Sequence, residues 1–195
     1  MNEALRQTLL AMRDEDRRVR AELAATGELF EGYAPRMEEV HRRNARALES
    51  IVEQHGWPGR SLVGEEGAEA AWLILQHAIG APGLQRRCLP VLWEEAARGE
   101  VEPAQAAHLE DRVRFFERRP QRFGTHFDWD ESGEMSPWTI EEPERVDDLR
   151  RCVGLRPLAE QVEKMREGTA GEPPPTDLKR RQEEMLAWAR SVGWL

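Results

Sequence analysis

The segment PRMEEVHRRNARALESIVEQHGWPG, residues 35–59, decides the fold that the sequence predicts. Met37 and Leu48 belong to a three-and-four-residue spacing that places apolar side chains on one face of a helix. The helix begins with a proline in its first turn and ends at the Gly-Trp-Pro-Gly turn, because Pro58 cannot continue a helical hydrogen-bond ladder. The segment therefore predicts a helix over about residues 35–54, followed by a tight turn.

Similar periodicity extends in both directions from this segment. Upstream, leucine and valine at helical spacing predict an amphipathic helix over about residues 2–25. Downstream, helices are predicted to begin after Ser61 or Gly64 and then to cover about 84–97 and 103–118, each bounded by glycine or proline. Five helices joined by short turns predict a mainly α fold, an antiparallel helical bundle.

The pattern changes between residues 121 and 140, which lack helical periodicity and centre on an Asp-Glu-Ser-Gly turn. Phenylalanine, tryptophan, threonine and isoleucine in this stretch indicate a short β-hairpin or an ordered irregular insertion. Two shorter helices follow. A spacer rich in proline and glycine, residues 168–177, then separates a predicted helical domain, residues 1–167, from an amphipathic C-terminal helix over 178–195.

Composition narrows the class of protein. The 195 residues include 37 acidic and 28 basic side chains, which give a formal charge of -9. This excess repels phosphate backbones and anionic lipid, so we expect no nucleic-acid partner and no membrane association. Cys88 and Cys152 match no disulfide or metal-binding spacing, and the charged N-terminus lacks the apolar stretch of a signal peptide, so we expect a cytoplasmic protein.

Asp16 interrupts an apolar face of the first helix. It occupies the position between Met12 and Val19 at which the spacing predicts an aliphatic side chain. A buried carboxylate needs a partner, and Arg20 lies one helical turn further along. Two interpretations stay open: a structural ion pair, or a site in which Asp16 orients a catalytic group and Arg20 binds an anionic part of a substrate.

Histidines are candidate site residues in the next two helices. His41 and Asn44 share the inward face of the quoted segment, where an imidazole could act as a general base or could be a hydrogen-bonded core residue. Gln76 and His77 end the third helix just before a turn. There they could project into a cavity, or His77 could cap the last carbonyl groups of the helix.

The fifth helix and the hairpin contribute a second group of polar candidates. Asp111 either forms a structural pair with Arg112 or belongs to a functional site. The hairpin adds Gln121, Thr125 and His126, and aromatic residues surround His126 in the sequence. Such apolar cover can perturb the proton affinity of an imidazole.

A metal centre is the weaker alternative for these residues. His41, His77 and His126 could converge on a transition metal, but none of their spacings is diagnostic of a metal site. We therefore predict no metal ligand and no cofactor from the sequence.

Several short motifs together resemble a family of bacterial proteins of unknown function. The resemblance covers about residues 10–165, and its most specific parts are G-W-P at 56–58, Q-H-A at 76–78 and Q-[YF]-G-T, which here is the segment QRFGT at 121–125. It implies a pocket or interface shared by the family and carries no established reaction. Trp57 of the first motif joins the candidate substrate-binding residues.

The favoured hypothesis is a small-molecule enzyme or ligand-binding protein with a polar pocket in the bundle, covered by the hairpin. Without a nucleophile elbow, P-loop or dinucleotide fingerprint, we expect metal-independent acid–base chemistry, either hydrolysis or elimination. The predicted catalytic residues are His77, His126, Asp16 and His41, and the predicted substrate-binding residues are Arg20, Asn44, Gln76, Asp111, Gln121, Thr125 and Trp57.

The alternative hypothesis is a non-catalytic interaction module. Trp188 and Trp194 follow the proline-rich spacer, and exposed tryptophan is a common anchor at protein interfaces. In that case the C-terminal helix would bind a partner or form a homodimer, and the buried polar residues would be structural.

Overall fold

A computed structural model describes residues 1–30, 32–171 and 174–195 of the chain. The chain divides into two compact units, Met1–Val101 and Glu102–Leu195. The prediction of one helical domain over residues 1–167 with a separate C-terminal helix stays a prediction.

The described residues of unit 1 form four α-helices. They are α1 (Glu3–Thr26), α2 (Pro35–His55), α3 (Arg60–His77) and α4 (Pro82–Ala97), with a short 3-10 helix at Glu28–Phe30. The side chain of Asn2 caps α1 by accepting a hydrogen bond from the Leu5 amide, which satisfies one of the donors left over at a helix start. Proline in the first turn begins both α2 and α4, as its restricted backbone favours.

The core of unit 1 forms where α1 packs against both α2 and α3. Its largest fully buried side chains include Leu9 of α1, Leu48 of α2 and Ile74 of α3. Small residues such as Ala70 and Ala71, which are fully buried, let the backbone of α3 approach its neighbours closely. One glycine bends this helix: Gly64 has a φ of 72°, a left-handed conformation that side chains other than glycine adopt only with strain.

Unit 2 combines helices with a small hairpin. Its helices are α5 (Pro103–Phe116), α6 (Val146–Cys152), α7 (Leu158–Gly168) and α8 (Leu178–Val192), and a 3-10 helix at Pro143–Arg145 precedes α6. Strands β1 (Phe127–Trp129) and β2 (Met135–Pro137) pair antiparallel, with Asp128 opposite Ser136.

The predicted mainly α fold with a hairpin near residues 121–140 is confirmed. The hairpin is shorter than that stretch, because the flanking residues form ordered loops held by side-chain hydrogen bonds described below. No helix in the described ranges combines the length and the apolar character that a bilayer crossing requires.

Candidate functional site

One acidic side chain breaks the apolar stripe of α1. Asp16 lies on the same face as Leu9 and Val19, and it is 1% exposed. Because its neighbours along the stripe pack into the core, the carboxylate is carried inside with them. A charged group in that position costs free energy unless nearby side chains compensate it.

Two histidines from two other helices supply that compensation. Nδ1 of His77, at the end of α3, lies 3.1 Å from Oδ1 and 3.0 Å from Oδ2 of Asp16. Nε2 of His41, on α2, lies 3.1 Å from Oδ2. The two imidazole rings are 5.0 Å apart, centre to centre. Three of the four residues predicted as catalytic therefore meet at one carboxylate, although they are far apart in the sequence.

The histidines decide the charge of Asp16. Burial alone would raise the pKa of this carboxyl, but the contacts with His41 and His77 outweigh burial and hold the pKa well below its ordinary value. Asp16 is therefore ionised at physiological pH. An ionised carboxylate can only accept hydrogen bonds. A ring nitrogen that hydrogen-bonds to Asp16 must therefore carry the proton.

Tyr33 extends this group of side chains by one member. Its hydroxyl oxygen lies 2.7 Å from Nδ1 of His41, and its ring packs against the buried apolar cluster around Val19 and Met37. Burial first, and then the charges of Glu38 and Asp16, raise the pKa of Tyr33 above its usual range. The phenol therefore keeps its proton and can donate a hydrogen bond to Nδ1 of His41.

Sequence reasoning missed Tyr33 because it lies in the break between α1 and α2, where no periodicity marks a buried position. The only available signal was that it is the single tyrosine of the chain. We call Asp16, His41, His77 and Tyr33 together the Asp16 cluster.

A cavity of about 230 Å³ adjoins the Asp16 cluster on the side of Tyr33 and His41. Its other lining residues come from α2 and from the turn after α3, and they include charged side chains of both signs. These other lining residues are Glu38, Arg42, Ala45, Arg46, Glu49, Ala78, Gly80 and Ala81. Within the described ranges Arg46 forms no ion pair, whereas Arg42 pairs with Glu39 and Glu49 pairs with Arg87.

Arg20 does not reach the carboxylate that the sequence assigned to it. It lies on the solvent side of α1 and forms no ion pair with any residue in the ranges 1–30, 32–171 and 174–195. The ion pair expected between Asp16 and Arg20 is therefore wrong. The reason is tertiary: the imidazoles of His41 and His77 occupy the space around the carboxylate that a guanidinium would need.

The remaining unit 1 candidates differ in burial and in their hydrogen bonds. Asn44 is buried, and its side-chain amide donates to the main-chain oxygen of Met12 at 3.3 Å, which ties α2 to α1. Trp57 is buried in the turn between α2 and α3, and its indole nitrogen has no hydrogen-bond acceptor among the described residues. Gln76 is half-buried beside His77.

In unit 2, Asp111 organises a loop. Its carboxylate accepts hydrogen bonds from the main-chain nitrogens of Arg122 at 2.7 Å, Phe123 at 3.1 Å and Thr125 at 2.9 Å, and from the Thr125 hydroxyl at 2.9 Å. Burial raises the pKa of Asp111 against the effect of these donors. Both Asp111 and Thr125 therefore direct their polar atoms toward the protein itself.

The same loop is held from its other side by Arg150, a buried residue that sequence reasoning missed. Its guanidinium donates to the main-chain oxygens of Phe123 at 2.5 Å and Gly124 at 3.2 Å. Arginine is expected on the surface, and nothing in the local sequence distinguishes Arg150 from its exposed neighbour Arg151. Its hydrogen-bond acceptors lie 26 and 27 positions earlier in the chain, so the local sequence does not reveal them.

Gln121 closes the base of the hairpin. It is fully buried, its side-chain nitrogen donates to the main-chain oxygens of His126 at 3.1 Å and Trp138 at 2.7 Å, and its side-chain oxygen accepts from the His126 amide at 2.9 Å. A glutamine with these partners adds hydrogen bonds to main-chain groups at the ends of the short strands.

His126 is half-buried against an aromatic side chain. Its ring stacks on Phe115 with a centroid distance of 3.7 Å. Burial, assisted by the positive charge of Arg112, lowers the pKa of His126 to about 4, so the ring is neutral at pH 7. His126 belongs to unit 2 and the Asp16 cluster belongs to unit 1.

A second cavity, of about 490 Å³, lies in unit 2 between the hairpin and α8. Sequence reasoning missed it because its walls come from segments about fifty residues apart. Its lining combines acidic and aromatic side chains, namely Asp128, Trp129, Asp130, Glu131 and Trp138, with Leu178, Lys179 and Gln182 of α8 among the others.

The two tryptophans of the C-terminal segment pack within unit 2. Trp194 is 3% exposed and stacks on Phe116 at a centroid distance of 5.0 Å. Trp188 lies 5.7 Å from the same ring. Neither tryptophan is the exposed anchor that the interaction hypothesis assumed.

Comparisons with known proteins agree with the resemblance seen in the motifs. No curated protein and no solved structure matches the chain at a significant level. One family model, described as a family of unknown function (DUF6624), matches residues 3–171. That match spans the Asp16 cluster, the G-W-P and Q-H-A motifs and the loop held by Asp111. The chain is therefore a member of the family of unknown function DUF6624.

Proposed function

We propose that this protein is a small-molecule enzyme whose catalytic centre is the Asp16 cluster of unit 1, with hydrolysis or elimination as its reaction. One observation carries the proposal: a single ionised, 1% exposed carboxylate is shared by imidazoles from two different helices. A helical bundle can be stabilised by apolar side chains alone, so three converging polar groups cost stability that a functional role would explain.

The roles of the residues follow from their exposure. His77 has 23% of its side chain exposed and His41 lines the adjoining cavity, so His77 would exchange a proton with solvent and His41 with a substrate in the cavity. Asp16 would fix the orientation of the imidazole and stabilise its protonated form, as a buried aspartate does in other histidine-based centres. His41, held by Tyr33, would provide a second proton position on the same carboxylate.

The adjoining cavity supports a small, polar substrate. Its volume of about 230 Å³ fits a molecule of metabolite size rather than a polymer. Arg46 lines it without an ion pair among the described residues, and a guanidinium of that kind is suited to an anionic group on the substrate. In this proposal Arg46 takes the anion-binding role that the sequence assigned to Arg20.

Activity screening with matched variants tests the proposal. The wild-type protein would be assayed against a panel of carboxylic and phosphoric esters, amides and small hydroxy acids. We expect turnover of at least one class, lowered by about 10²-fold or more in His77→Gln and Asp16→Asn. His55→Gln, on the exposed end of α2, is the control that should keep full activity. Absence of any turnover, or equal turnover in all variants, contradicts the proposal.

Cytoplasmic location is part of the same proposal. Both cysteines are free, and Cys152 is exposed, which suits a reducing compartment better than an oxidising one. The alternative of a homodimer through α8 is not proposed, because Trp188 and Trp194 already pack on Phe116.

A further inference from the structure

The Asp16 cluster has the composition of a metal-binding site. A carboxylate oxygen of Asp16, a ring nitrogen of His41 and a ring nitrogen of His77 all lie within 4.8 Å of one another. We infer that these three side chains bind one divalent transition-metal ion, with zinc as the best-matched case. This inference rests on the centre described under Proposed function, but a ring nitrogen that binds the ion cannot also carry the proton assigned to it there, so the two are tested by different measurements.

The spacing of the donor atoms fits a coordination sphere. Zinc binds histidine nitrogen and carboxylate oxygen at about 2.0–2.1 Å, so adjacent ligand atoms lie roughly 2.9 to 3.4 Å apart across octahedral to tetrahedral angles. The two contacts of Asp16 Oδ2 measure 3.0 Å to His77 and 3.1 Å to His41. The two ring nitrogens lie within 4.8 Å of each other, so rotation of the imidazoles would bring all three donor atoms onto one ion in place of the shared protons.

The donor set also fits the chemistry of the ion. Two imidazoles and one carboxylate are the ligands of many zinc and non-haem iron centres, in which three protein ligands leave further positions for water or substrate. Asp16 and His41 are buried, whereas His77 is partly exposed, so an open position would face the accessible side of the cluster. A site with an accessible position is of the catalytic rather than the purely structural type.

The surroundings of the His41 ring give further evidence. Nε2 of His41 is buried, and although it lies near Asp16 it makes no well-aligned hydrogen bond with any described residue. Its ring is held from the other side, where the Tyr33 hydroxyl lies 2.7 Å from Nδ1. With a metal bound, Nδ1–H would donate to the phenol oxygen and Nε2 would present its lone pair, which is the usual outer support of a metal-bound histidine.

The three proposed ligands are held in place by packed helices. Each ligand comes from a different helix, and α1, α2 and α3 pack directly on one another. Asn44, one turn after His41, fixes α2 to the main chain of α1 at Met12, one turn before Asp16. The packed helices therefore already hold the three ligands close together. Binding of an ion then requires little further loss of conformational entropy.

Metal binding by untagged protein gives the first test. After treatment with a chelator and dialysis, titration with Zn²⁺ in a calorimeter should show one tight site per chain. His41→Gln and His77→Gln should each weaken it by at least tenfold, and His55→Gln should leave it unchanged. Tyr33→Phe, which keeps all three ligands, should weaken it by about tenfold if the phenol supports His41. Wild-type protein without a tight site, or variants with equal affinity, would overturn the inference.

A measurement on the wild-type protein alone covers the case in which a variant does not fold. X-ray absorption of the zinc-loaded protein should show two imidazole ligands with nitrogen and oxygen neighbours at about 2.0–2.1 Å. Sulfur in the first coordination shell, which Cys88 or Cys152 would supply, or a shell of water oxygen alone, would refute it.

The results separate this inference from the proposed function. If turnover is lost in His77→Gln but no ion binds, the acid–base proposal stands without the metal. If one ion binds through these ligands but turnover is unaffected by the variants, the metal site stands without the proposed catalytic role.

Discussion

Nδ1 of His77 lies 3.0 Å from Oδ2 of Asp16, which precedes it by 61 positions in the chain. The contact joins the last residue of α3 to the middle of α1, and it places an imidazole with partial exposure next to a carboxylate that has almost none. A side chain that compensates the buried charge is therefore also one that solvent can reach.

Removal of the carboxylate should destabilise unit 1. In Asp16→Ala the two imidazoles lose their common acceptor and a small void opens in the core, so we expect a loss of about 3 kcal/mol in the free energy of unfolding. Denaturant unfolding measures it. Asp14→Ala is the control, because Asp14 lies on the same helix with 62% of its side chain exposed and should change stability by less than about 0.5 kcal/mol. Equal effects of the two changes would count against a buried charged centre.

Acidification should destabilise unit 2 through His126. Its pKa of about 4 in the folded protein lies below the ordinary value of 6.5, so protonation favours the unfolded chain. The stability that the neutral ring contributes is fully present above pH 6.5 and is lost as the pH falls through about 4. Allowing for its partial exposure, we expect a loss of about 2 kcal/mol.

Thermal unfolding as a function of pH measures this loss, and His126→Phe provides the comparison. Phenylalanine cannot titrate but can still stack on Phe115, so the variant should be less sensitive to pH between 6.5 and 4. If the stability of His126→Phe depends on pH as that of the wild-type protein does, other titratable groups account for the loss at low pH.

Asp111 should prove structural rather than catalytic. Asp111→Ala removes the acceptor of the main-chain amides of Arg122, Phe123 and Thr125, so we expect a loss of about 3 kcal/mol or more. Hydrogen exchange should then be faster at those three amides than elsewhere in the unit. Asp148→Ala, at a site with 73% of its side chain exposed, should leave their exchange unchanged. Slow exchange retained in Asp111→Ala would contradict the structural role.

The C-terminal tryptophan should stabilise the chain without holding copies together. Trp194→Ala removes a ring that is 3% exposed and stacked on Phe116, so the free energy of unfolding should fall by about 3 kcal/mol. Light scattering should give the same solution mass for this variant and for Leu195→Ala, whose side chain is exposed. A mass that halves in Trp194→Ala alone would instead support the homodimer.

The positions of the helices were predictable because helix boundaries depend on the residues at and beside them. Proline in the first turn of α2 and α4, and glycine after α1 and α2, act on the residues beside them, so the expected bounds differ from the observed ones by only a few positions. The hairpin was less predictable. Its strands are only three residues long, and the rest of the stretch is held by Asp111, Gln121 and Arg150 from outside it.

The sequence likewise predicted only part of the candidate site. The apolar periods of α1 and α2 marked Asp16 and His41 as inward-facing polar residues, because a side chain that interrupts a buried stripe has to be buried with it. Periodicity also suggested Arg20 as the partner of Asp16, and here it failed, since a spacing along one helix cannot reveal which side chains a neighbouring helix brings.

The sequence by itself determined the mainly α class, the helix positions and the polar residues that had to point inward, because all of these follow from local backbone preferences and from the period of the apolar side chains. Only the tertiary structure decided which of those residues meet. The packing of α1 against α2 and α3 set His41 and His77 on Asp16 and brought Tyr33 behind His41, while the loop of unit 2 used Asp111, Gln121 and Thr125 for its own backbone. Distances between helices depend on how whole faces fit together, and no local pattern of residues contains that information.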